Sequence, residues 1–190
     1  MIGIKLSDGK LRLLTTDMTN TLCIIIDKVA GDDMDITVDA DKFGKLIAKT
    51  TSEDIDLSVK DDVLFVKANG TYKIPLISDE EGLISFPDIK MMEDKNVQCK
   101  TKLSSVMQAY NINKSALAKT LENPALTGYY CGDTVISTDA NVITFNGFKM
   151  FTNEEPILIS AQQMQLLTLN TNEDIEVYIG KTGIKFVTED

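Results

Sequence analysis

Residues 40–67 read ADKFGKLIAKTTSEDIDLSVKDDVLFVK, and along them the hydrophobic period passes from that of a helix to that of a strand. From Ala40 to Lys49 the apolar residues Phe43, Leu46 and Ile47 recur at helical spacing and form one stripe, with Lys42, Lys45 and Lys49 on the opposite face. Asp41 is placed to cap the start. From Asp54 to Lys60, and again from Val63 to Lys67, polar and apolar residues alternate as in half-buried strands, and Asp61-Asp62 supplies the turn between them. A short helix followed by a β-hairpin is expected.

The same grammar returns in residues 161–187, AQQMQLLTLNTNEDIEVYIGKTGIKFV. Ala161-Gln162-Gln163-Met164 lines up with Ala40-Asp41-Lys42-Phe43, and Asn172-Glu173-Asp174-Ile175-Glu176 with Ser52-Glu53-Asp54-Ile55-Asp56. Lys185-Phe186-Val187 lines up with Leu64-Phe65-Val66, so the offset stays at about 120 residues throughout. A second pair keeps nearly the same step: Thr16-Asp17-Met18-Thr19-Asn20 and Thr138-Asp139-Ala140-Asn141-Val142, each directly after a strand-like run. Two matches in step point to an internal duplication.

Around these anchors the alternation predicts further strands at Gly9 to Thr16, Gly128 to Ser137, Val142 to Phe148, Asp174 to Ile179 and Ile184 to Val187, with Gly180 to Gly183 as the last turn. Short amphipathic helices are expected at Lys102 to Asn111 and Ala161 to Leu169. The pattern breaks at Ser85-Phe86-Pro87-Asp88 and in the mixed-charge stretch Met92 to Asn96. Two domains follow, residues 1–92 and 93–190, joined near Glu93. The class is α+β, antiparallel sheets with short helices packed on one face.

Composition narrows the chemistry. The 19 basic and 29 acidic side chains leave a net charge of −10, so any grip on phosphates must be local. Arg12 is the only arginine, which removes the usual means of reading guanine edges. No apolar run is long enough to cross a bilayer, and MIGIKLSDGK has no secretory h-region, so a cytoplasmic protein is expected. Cys23, Cys99 and Cys131 are widely spaced and there is no histidine, which argues against zinc. Asp17, Asp139 and the run Asp32-Asp33-Met34-Asp35 with Asp39 and Asp41 are raw material for a metal-dependent phosphodiesterase. The run lacks the glycine of an EF-hand, and no P-loop or G-x-S-x-G occurs, so neither catalysis nor a cofactor is expected.

Several stretches together resemble the bacterial DNA sliding clamps, the β subunits of replicative DNA polymerase. "LSDGKLRLLTTDMTNTLCI" is similar to a first-domain strand pair ending in Thr-Asp, and "ITVDADKFGKLIAKTTSEDIDLSVKDDVLFVKANGTYKIPL" to the unit that follows it. "ISFPDI" resembles the segment closing the first domain, and "NPALTGYYCGDTVISTDANVITF" the second-domain pattern in which L-x-G opens a strand. The resemblance implies a clamp fold of two incomplete domains and a processivity factor that tethers polymerase to duplex DNA without catalysis. It implies Lys42, Lys45, Lys49 and Lys102 facing DNA without sequence preference, and a ring closed by copies of the full-length protein. It also implies a pocket for polymerase and repair-protein peptides at Leu126, Thr138, Ala140, Val142 and Ile143. The family commonly has Gly-His-Arg-Leu where this chain has Ala140-Asn141-Val142-Ile143, so an altered pocket is expected. The first domain is expected to lack its opening helix and strand, the second its last strand, and a third domain is not represented. The alternative reading is a clamp-fold module that binds replication proteins and encircles nothing.

Overall fold

The computed structural model describes residues 1–89, 97–151, 155–169, 173–180 and 183–188. The joint near Glu93 with the stretch Met92 to Asn96, Asn172 of the second copy, and residues 181–182 of the last turn lie outside the described residues. Two compact units form, Met1–Ile89 and Lys90–Asp190.

In unit 1, β1 (Ile2–Ser7), β2 (Lys10–Thr16), β3 (Thr21–Asp27) and β4 (Met34–Val38) build an antiparallel sheet in the order β3-β2-β1-β4. Helix α1 (Ala40–Lys49) follows, and β5 (Asp56–Lys60), β6 (Val63–Lys67) and β7 (Thr71–Pro75) make a second sheet in sequence order, trailed by the small ladder of β8 (Ser78–Asp79) and β9 (Gly82–Leu83). Both early hairpins turn on two residues with positive φ, Asp8-Gly9 and Asp61-Asp62, the geometry whose twist matches that of the strands it joins. Ile4, Val38, Phe43, Leu64, Val66 and Ile74 meet in the core. The Phe-Pro segment has a packing role: a Cβ on Gly3 would stand 2.6 Å from the Phe86 ring, so only glycine lets the ring lie on β1.

Unit 2 opens with β10 (Val97–Lys102) and α2 (Leu103–Asn113). It continues with β11 (Gly128–Cys131), β12 (Val135–Thr138), β13 (Ile143–Asn146), β14 (Ile157–Ser160), α3 (Ala161–Leu167), β15 (Asp174–Ile179) and β16 (Ile184–Val187). Its sheets run β13-β12-β11-β14 and β10-β15-β16, so the first repeats the connectivity of β3-β2-β1-β4 strand for strand. The duplication is therefore also one of topology. Among the described residues unit 1 has no counterpart of β10 and α2, and unit 2 none of β7.

Three expectations change. The run Gly128 to Ser137 is a hairpin, not one strand: Gly132 to Thr134 form its turn, with the Gly132 N–H donating to the Thr134 carbonyl at 3.0 Å. A three-residue turn keeps odd-numbered residues facing inward on both sides, so Tyr129, Cys131, Val135 and Ser137 are all buried and the alternation hides the reversal. The cap of α1 is Asp39, not Asp41, and its carboxylate accepts from the Lys42 N–H at 2.8 Å. Asp41 is already inside the helix and instead pairs with Lys45 one turn on, at 2.6 Å. Finally, Leu57 opposite Val66 and Val59 opposite Leu64 correspond to Val177 opposite Phe186 and Ile179 opposite Ile184. Leu64-Phe65-Val66 therefore matches Ile184-Lys185-Phe186, one residue earlier than the sequence alignment, and such a slip exchanges the two faces of a strand.

Candidate functional site

The Thr-Asp pairs close the same turn twice, bond for bond. In unit 1 the Thr16 hydroxyl accepts from the Met18 N–H at 3.0 Å and donates to the Asn20 carbonyl at 3.0 Å. The Asp17 carboxylate accepts from the N–H groups of Thr19 and Asn20 at 2.9 and 2.6 Å. In unit 2 Thr138 accepts from Ala140 at 3.1 Å and donates to the Val142 carbonyl at 2.7 Å, and Asp139 accepts from Asn141 and Val142 at 2.9 and 2.8 Å. Those two N–H groups, Val142 first, hold the Asp139 carboxyl below the usual carboxylate range. In each turn the third residue is left-handed, Met18 at φ 70 and Ala140 at φ 74. A side chain there is strained, and the exposed Ala140 has no packing to offset it. Ala140→Gly is expected to stabilise unit 2 by about 1 kcal/mol, seen as a higher denaturation midpoint, and an unchanged midpoint would contradict the turn geometry.

The hairpin carries Thr138, Ala140, Val142 and Ile143 together, with Thr138 paired to Ile143. Val142 and Ile143 are 53% and 64% exposed. Leu126 sits in a short 3-10 turn, Pro124–Thr127, that abuts β11 and β12 and is held by the Ala118 N–H donating to the Leu126 carbonyl at 2.9 Å. The structure thus gathers four of the five residues on one turn and seats the fifth on a neighbouring one. An apolar row that the sequence did not reveal continues from them: Phe145, Ile136, Tyr130 and Leu158 stand opposite one another across all four strands, on the face turned away from the core. Phe145 and Ile143 are visible in the sequence as alternating apolar residues, but the row needs the register of β14 to be seen.

On α1, Phe43 is buried and Leu46 and Ile47 are half-buried beside it, whereas Lys42, Lys45 and Lys49 are exposed within one arc of the helix. The Lys45–Asp41 pair has both side chains at least 70% exposed, and such a pair holds the ammonium only loosely. Lys102 belongs to the other unit, at the end of β10, 3.4 Å from Asp174.

Solved structures with the same chain path are bacterial replication proteins. The DNA polymerase III beta subunit of Thermotoga maritima superposes with a TM-score of 0.81 at 17% identity, covering 100% of this chain and 53% of that one. The DNA polymerase sliding clamp of Bacillus subtilis gives 0.79 at 15% identity, with 98% and 53% covered. A putative DNA polymerase III beta subunit from Eubacterium rectale gives 0.80 at 19% identity, with 99% and 54% covered. The fold is that of the sliding clamps. No protein-family model and no curated protein sequence matches the chain. The chain spans about half the length of the clamp structures it matches.

Within this clamp fold five of the seven carboxylates singled out as catalytic material have structural partners. Asp17 and Asp139 are bound to their own turns, Asp39 caps α1, Asp35 pairs with Lys5 at 2.9 Å, and Asp41 pairs with Lys45. Among the described residues no three His, Cys, Asp or Glu side chains are grouped as a metal site requires. Cys99 and Cys131 are buried, and burial pushes the Cys131 thiol up to about 12, so it packs as a small apolar side chain. No described helix is long and apolar enough to cross a membrane.

Proposed function

We propose that this chain is a sliding-clamp processivity factor, or the part of one that spans two clamp-like domains meeting near Glu93, and that it works in the cytoplasm. It holds DNA polymerase on duplex DNA by enclosure, as a homo-oligomeric ring, and carries out no chemistry. The observation that carries this is the exposed lysine arc of α1 on a helix whose other side is committed to a clamp-domain core. Enclosure needs only weak, sliding phosphate contacts, which Lys42, Lys45, Lys49 and Lys102 can make without reading bases. The net charge of −10 over the whole chain discourages side-on binding to DNA. The surface at Leu126, Thr138, Ala140, Val142 and Ile143 would take a short apolar peptide from a polymerase or repair protein, and the exposure of Val142 and Ile143 supports that use.

Replacing Lys42, Lys45 and Lys49 together by serine should shorten retention on nicked circular DNA, with the slope of log affinity against log salt falling by about 0.9 per lysine. Retention and salt slope equal to wild type would remove these lysines from the DNA-facing role and favour the non-encircling interaction module.

A further inference from the structure

The dipeptide Asn-Gly occurs twice in the chain, at Asn69-Gly70 and Asn146-Gly147, and the fold treats the two asparagines in opposite ways. Asn146 is 3% exposed, stands in β13 opposite Val135, and its Oδ1 accepts from the Asn113 amide of α2. Asn69 is exposed at the tip of the hairpin that joins β6 to β7. That tip is a three-residue turn, Ala68-Asn69-Gly70, between the paired Lys67 and Thr71, and the Ala68 N–H donates across it to the Gly70 carbonyl at 2.8 Å. The Gly70 N–H has no acceptor among the described residues. The Tyr72 hydroxyl stands 3.4 Å from Asn69 Oδ1, too long a contact to hold the amide in place. The amide carbon of Asn69 and the main-chain nitrogen that follows it are therefore both open to water, and glycine puts no side chain in the way of their approach.

We infer that Asn69 is a self-modifying position, at which the folded chain converts asparagine to aspartate and isoaspartate. The Gly70 nitrogen, having given its proton to hydroxide, attacks Asn69 Cγ. The N–Cγ bond forms, the Cγ–Nδ2 bond breaks, and Nδ2 takes a proton from water and leaves as ammonia. Water then opens the five-membered imide at either carbonyl: attack at Cγ leaves aspartate, and attack at the main-chain carbonyl carbon of residue 69 leaves isoaspartate, in which the chain runs through the side chain. The sum is amide plus water to carboxylic acid plus ammonia, with no oxidant or reductant. Either product adds a negative charge to the −10 of the chain and places it in a shallow hollow that Asn69 shares with Asp54, Asp56 and Lys67. The isoaspartyl product also lengthens the main chain by one carbon between Lys67 and Thr71, where the hairpin register is fixed by the turn. Asn146 is denied the reaction, because its backbone lies in the β12–β13 ladder and α2 packs on that strand, so the imide cannot close unless β13 leaves the sheet.

The test is incubation of the full chain in mildly alkaline buffer at physiological temperature, followed by mass-spectrometric peptide mapping and by methyl transfer from an isoaspartyl methyltransferase. First-order conversion at Asn69 is expected, with Asn146 intact over the same time. Gly70→Ala should slow the conversion by at least about tenfold, since a side chain at position 70 obstructs the attacking nitrogen. That variant should fold, because a Cβ at position 70 would stand 3.2 Å from the far end of the Tyr72 side chain, which can move, and Gly70 is not in the left-handed region. In urea, where both dipeptides are equally exposed, the two asparagines should convert at similar rates, which assigns the difference to the fold. The proposal is overturned if Asn69 stays intact in the folded chain while it converts in urea, if Asn146 converts as fast as Asn69 in the folded chain, or if Gly70→Ala keeps the wild-type rate.

Discussion

Phe43→Ala is expected to destabilise unit 1 by about 3–5 kcal/mol, the range for removing a buried aromatic ring whose site cannot collapse. Phe43 is 5% exposed and is the one residue of α1 that is fully in the core, with Val38, Leu64, Val66, Ile74 and Leu76 around it. The helix has 10 residues, which is too short to persist in water on its own, so its place on the unit depends on that ring. Urea denaturation should show the loss, and Lys45→Ala on the exposed arc should move the midpoint by less than about 0.5 kcal/mol. Because the same helix presents Lys42, Lys45 and Lys49, the Phe43 variant should also lose DNA retention with every lysine still present. A stability within 1 kcal/mol of wild type would mean that α1 does not pack as described.

Gly128→Ala should cost unit 2 about 3 kcal/mol, through overpacking and the loss of ladder hydrogen bonds. The glycine has an ordinary extended φ of −129, so the requirement is one of space, not of backbone freedom. A Cβ there would stand 2.7 Å from the Ile159 carbonyl oxygen, which is backbone and cannot swing aside as a side chain could. The β11–β14 pair, Gly128 opposite Ser160 and Tyr129 opposite Ile159, would have to open. Ser160 also caps α3, accepting from the Gln163 N–H at 3.1 Å, so the disturbance reaches the helix start. Leu126 lies two residues upstream, and a clamp-binding peptide should bind the variant more weakly even where it remains folded. Wild-type stability together with wild-type peptide affinity would refute the close approach of the two strands. The same contact explains the L-x-G pattern at Leu126-Thr127-Gly128: the third position is where one strand lies against its neighbour's backbone.

Much of this architecture is legible because local physics settles it. The apolar spacing marks helix α1, and alternation marks β6, β15 and β16, because each has one dry face and one wet face and its period survives in the residue order. Strand β14 is not announced in this way, because Ile157-Leu158-Ile159 is apolar on both faces of the sheet and leaves no alternation to read. The repeated Thr-Asp turn was visible as a pattern, but its purpose was not. Only the hydrogen bonds show that Asp17 and Asp139 are acceptors for backbone N–H groups, where the bare sequence also allowed a catalytic pair. Among the candidate site residues, Lys42, Lys45 and Lys49 could be grouped in advance because a helix relates them at fixed intervals. Leu126 could not be placed beside β12 by any local rule, because strand pairing and a 3-10 turn intervene.

By itself the sequence determined the duplication, the α+β class and the helix with its lysine arc, all of which depend on patterns among residues near one another in the chain. The tertiary structure decided register and cover. A hairpin set its alignment with its counterpart one residue away from the best match of letters, and the same isoleucine came out buried at 175 and exposed at 55. Burial depends on what another segment brings to the site, and β10 reaches Ile175 from far along the chain, where no local period can encode it.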